Sequence, residues 1–150
     1  MGFDGIKYFY PRTKRTNIRL TGSNDMAVKT VSLETAKLLK EAGFRQEGGW
    51  YWTQHKVDTK NCILNLGKFN PDGCFHNFYA PTTDELLEEL PYRINYQSHW
   101  GYLSIDKTNT PEYIVGYRGE GHKTLWAKEI GTLPEALARM WLWLKKEGLL

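Results

Sequence analysis

Residues 48–55 read GGWYWTQH, three large aromatic side chains in a row behind two glycines. In a strand, Trp50 and Trp52 share one face and Tyr51 turns to the other. A sheet that carries helices needs an apolar face beneath them, and two indoles supply one. The stretch therefore predicts a strand whose tryptophan side is core. Tyr51, on the opposite face, is left as the candidate ligand platform.

Working outward, residues 62–66 (CILNL) read as a second strand, joined to the first by the polar turn VDTKN. Asn70-Pro71-Asp72-Gly73 carries proline at the second and glycine at the fourth position of a type I turn, and a third strand follows over 74–79. Upstream, Ser32 is an N-cap with Glu34 in the first turn, and Leu33, Ala36 and Leu39 recur at helical spacing. That helix spans about 32–43, where Gly43 is a left-handed stop and Phe44 folds back.

Downstream, Thr82 and Glu85 form a capping box for a short helix over about 82–90, stopped by Pro91. Four strands are expected over 92–96, 100–105, 113–118 and 123–128, the last two joined by Gly119-Glu120-Gly121-His122. Thr132 and Glu135 repeat the capping-box pattern and open a helix to about 147, with Leu133, Leu137, Met140, Trp141 and Leu144 on one face. Trp143 lies off that face, an apolar spot suited to a partner or to a second copy in a homodimer. Hairpin-linked strands separated by helices predict an α+β fold with a mainly antiparallel sheet, two longer helices and one short one.

A chain of 150 residues suits one domain, and 41% hydrophobic with 25% charged residues is ordinary globular composition. No apolar run approaches the roughly 20 residues of a membrane span, and the start lacks the apolar core of a secretory signal. Two cysteines give no disulfide framework, so a reducing cytoplasm is the expected compartment. Of the total net charge of +3, residues 1–31 hold +4, six cations against two anions, leaving −1 for the rest. The basic character belongs to an N-terminal arm, residues 1–25, ahead of a domain over 26–150.

The segments MAVKTVSLETAKLLKEAGFRQEGGWYW, YAPTTDELLEELP and PEALARMWLWLKKEGLL resemble a loose group of small phage and prophage proteins of unknown function. The resemblance covers residues 26–150 and leaves 1–25 unmatched. It implies a phage-type accessory protein made in a bacterial host, binding a host or phage protein in host takeover or defence evasion. It carries no catalytic residues across.

The residues offer three chemistries. In the arm, Tyr8 and Tyr10 adjoin Arg12, Lys14, Arg15 and Arg19, stacking rings beside phosphate-seeking cations, which is the alternative reading as a nucleic-acid or nucleotide binder. His55, Cys62, Cys74 and His76 would make a metal site only if all four converged, and the four histidines, 21, 23 and 23 residues apart, exclude sequence-local zinc spacing. Gly119-Glu120-Gly121-His122-Lys123 is no phosphate loop, because strands flank it and Glu120 would repel phosphate. No GxSxG occurs, and the acid pairs Asp84-Glu85 and Glu88-Glu89 fit a helix cap and a solvated face. The expectation is a non-enzymatic binding module with no catalytic residues, cofactor or metal assigned and no membrane contact.

Overall fold

The computed structural model describes residues 18–20, 29–119 and 125–150. Its first sheet contains β1 (Ile18–Leu20), β2 (Trp50–His55), β3 (Cys62–Leu66) and β4 (Phe75–Tyr79), in the order β1-β3-β2-β4. β2 pairs antiparallel with both β3 and β4, and β1 adds parallel to β3. Residues 18–20 of the expected arm therefore belong to this sheet, parallel to β3.

The alternation expected of GGWYWTQH holds, but both of its faces are covered. Trp52 lies in register with Leu64 and Phe78, beneath helix α1 (Leu33–Glu41). Its indole N–H donates to the Val31 carbonyl at 2.9 Å, so the polar edge of a buried ring is satisfied where the chain enters α1. Lys37 and Lys40 lay their stems along the same face, with both ammonium groups over the Phe78 ring. On the other face Tyr51 packs against Tyr79 and is itself buried. The β3–β4 connection crosses β2 because those strands are not neighbours. Asn77 fastens the crossing by exchanging hydrogen bonds with the backbone of Phe69.

The helix ends follow local chemistry, with one exception. Ser32 caps α1 through its side chain. Gly43 takes φ +85°, and Phe44 returns its N–H to Leu39 and sets its ring edge-on to Trp141. Helix α2 (Thr83–Glu89) begins with the expected reciprocal capping box of Thr82 and Glu85. Helix α3 (Leu133–Lys146) does not, since Thr132 makes no side-chain cap bond. Glu135 turns away instead and accepts from the Ser32 N–H and the Thr35 hydroxyl. A carboxylate from α3 thus sits at the positive end of α1, where the unpaired amides favour it.

The second half of the chain forms a separate sheet rather than extending the first. It is an antiparallel meander of β5 (Arg93–Tyr96), β6 (His99–Lys107), β7 (Tyr113–Gly119) and β8 (Leu125–Gly131). Helix α3 packs on β7 and β8 and also meets α1 and α2, so the helices occupy the space between the sheets. Leu103, Ile105, Val115 and Tyr117 face α3, and Val115 and Tyr117 are fully buried. Each such side chain contributes about 1.5–3 kcal/mol of transfer free energy. Among the described residues the architecture is α+β with three named helices and two sheets.

Candidate functional site

The face of the second sheet turned away from α3 is the one that needs a functional account. Alternation places Gly101, Leu103 and Ile105 of β6 inward and Trp100, Tyr102, Ser104 and Asp106 outward. Register carries the outward row onto Arg93 and Asn95 of β5, onto Arg118, Gly116 and Ile114 of β7, and onto Lys128 and Ile130 of β8. Among the described residues no helix packs on this side.

Its rings are held by their neighbours. The Arg93 guanidinium carbon stands 4.1 Å from the centre of the Trp100 indole, a cation–π contact. Tyr92 and Tyr102 meet edge to face at 5.7 Å. Trp100 nevertheless stays 44% exposed and Tyr92 73%. Asp106 is the only carboxylate in the outward row among the described residues; it accepts from Ser104 at 3.1 Å and pairs with Arg118 at 3.2 Å. Arg93 and Lys128 keep the face positive, and between the Tyr102–Arg118 row and the Asp106–Ile114 row β6 and β7 present Ser104 and Gly116, with Lys128 beside them on β8.

The turn into this face is strained. Gln97 and Ser98 join β5 to β6 with φ of 51° and 67°, a left-handed pair that glycine or asparagine would enter more easily. The His99 Nδ1–H donates to the Gln97 carbonyl at 2.8 Å and braces it. Backbone strain of this kind persists where the surroundings enforce it, often beside functional surfaces.

Of the arm residues, Tyr8, Tyr10, Arg12, Lys14 and Arg15 lie outside the described residues, and Arg19 falls within β1, its backbone opposite Ile63. Tyr51 is only 4% exposed. Its hydroxyl accepts from the Gly48 N–H and donates to the Gln46 carbonyl, and Lys68 lies over its ring. The ring braces the 44–48 loop and offers little surface to a ligand.

The four metal-ligand candidates do not meet. His55 Nδ1 accepts from the Val57 and Asp58 amides, Gln54 separates Cys62 from His76 in register, and Cys62 is buried while Cys74 is exposed. Burial pushes the Cys62 thiol up, Glu34 adds to the effect, and Lys37 opposes it. Among the described residues no three His, Cys, Asp or Glu side chains are grouped to hold a metal. Two acids of α2 are structural, Glu85 in its cap and Glu89 paired with Arg45 at 3.1 Å. Trp143 meets Tyr96 edge-on at 5.4 Å and is partly covered by it.

The open face was readable in outline, because WGYLSID alternates aromatic or polar with glycine or aliphatic residues. What the pattern withheld was that the helices among the described residues would lie on one side of this sheet. No helix among the described residues is long and apolar enough to cross a membrane. Compared with protein-family models, with curated proteins and with solved structures, the chain matches none.

Proposed function

We propose that this chain is a non-enzymatic accessory protein of phage type that acts by binding a host or phage macromolecule. Its binding surface is the outward face of the second sheet. One observation carries the reading: rings and cations stand together, part-exposed, on a four-stranded sheet whose other side is anchored by α3. Aromatic surface left in water on a rigid support is a ready docking area, because little ordering remains to be done on association. The setting that goes with it is a bacterial cytoplasm, in host takeover or defence evasion.

The test is retention of material from bacterial lysate by the tagged full-length chain, beside a Trp100→Ala/Tyr102→Ala variant and a Leu38→Ala control on exposed α1 surface. The reading expects the double variant to lose what the wild type and the control retain. Equal retention by all three would contradict it.

A further inference from the structure

We infer that the ligand of this face is single-stranded nucleic acid, with bases on the Trp100 and Tyr102 side and phosphates against Arg93, Arg118 and Lys128. The inference deepens the binding reading above and rests on it. The charge argument comes first. Among the described residues, three cations share the outward row with one carboxylate, and that carboxylate is already engaged by Arg118 and Ser104. An anionic polymer fits this balance, whereas an uncharged glycan would leave the cations unused.

Shape selects the strand state. Trp100 and Tyr102 are two residues apart on β6, so their side chains step about 7 Å along the strand. A stepped platform on a sheet offers stacking surface, which only unpaired bases can use, since the bases of a duplex are already stacked and its grooves admit a helix or ribbon. The Arg93 guanidinium over Trp100 adds a second group on which a base can stack, because nucleobases stack on guanidinium as well as on rings. Ser104 and Gly116 leave a low strip beside the platform in which a sugar–phosphate backbone can lie.

Anisotropy of a fluorescein-labelled thymidine oligomer of about 15 nucleotides, titrated with full-length protein, tests this against a duplex of equal length. The expected result is preference for the single strand. Trp100→Ala weakens binding roughly 5- to 100-fold. Lys128→Ala lowers the slope of log affinity against log salt by about 0.7. Lys146→Ala, at the far end of α3, leaves both unchanged. Should thermal unfolding show Trp100→Ala to be misfolded, Trp100→Phe keeps a stacking ring and is expected to bind within a few-fold of wild type. Absence of oligomer binding overturns the inference, as does equal affinity for duplex. Binding that ignores Trp100 and Lys128 but disappears when Arg12, Lys14, Arg15 and Arg19 are neutralised assigns it to the arm and overturns it too. If the oligomer fails to bind while lysate retention still depends on Trp100 and Tyr102, the ligand class is wrong and the binding surface stands.

Discussion

At the scale of single residues, Gly48 and Tyr79 constrain each other. A Cβ built on Gly48 would lie 2.1 Å from Tyr79 Cε2, and Tyr79 is fully buried between Phe44 and Tyr51. Gly48→Ala must therefore displace a packed ring, at a cost of about 1–3 kcal/mol in a denaturant titration. Glycine at 48 is thus required by contact, which the pair of glycines in GGWYW did not disclose. Tyr117 gives a pH test. Its hydroxyl donates to the Pro91 carbonyl at 2.6 Å, and burial raises it above the ordinary tyrosine value of 10.0. Because the folded state resists losing this proton, the contribution to stability is complete below pH 10 and falls as pH rises beyond it. Tyr117→Phe should cost about 1 kcal/mol at neutral pH through the lost bond. Its unfolding midpoint on an alkaline titration should fall less steeply than that of the wild type. Parallel curves would contradict the assignment. Tyr79, raised by burial first and then by Glu85, adds to the same alkaline loss.

Elements were the most legible scale in the sequence. β2 and β3 match the predicted spans, and the three helices begin and end close to their cap residues. Local chemistry sufficed there: Ser32, Thr82, Gly43 and Gly148 act on their own turns. It failed where a side chain chose a distant partner. Glu135 stands three residues after Thr132, yet it caps α1, more than a hundred residues away in sequence. The β5–β6 turn was equally hidden, because Gln-Ser is not the pair that a left-handed turn favours. That misfit predicts a gain. A left-handed residue with a Cβ costs about 1–2 kcal/mol, against about 0.5–1 kcal/mol for the freedom glycine has when unfolded. Ser98→Gly should therefore stabilise the chain by roughly 0.5–1 kcal/mol, read as a higher urea midpoint at unchanged slope. A lower midpoint would show that Ser98 makes a favourable contact outweighing its backbone strain.

For the molecule as a whole, the sequence announced helices on a sheet but not two sheets with the helices between them. Alternation states which residues share a face, but it cannot state what covers that face. Tyr51 and Trp100 show the consequence. Both sit on strands and both were exposed in principle; the 44–48 loop and Tyr79 bury the first, and no helix among the described residues covers the second. A ring marked as a platform became a brace, while a surface of rings and cations arose where four strands contribute one or two residues each. Hydroxyl-radical footprinting of the full-length chain, with and without the thymidine oligomer, tests the central claim most directly because it reads side-chain exposure. Protection of Tyr92, Trp100 and Tyr102, with Leu38 and Val57 unchanged, is the predicted result. Protection confined to residues 1–28 or to the first sheet, with Trp100 as reactive as before, would contradict it.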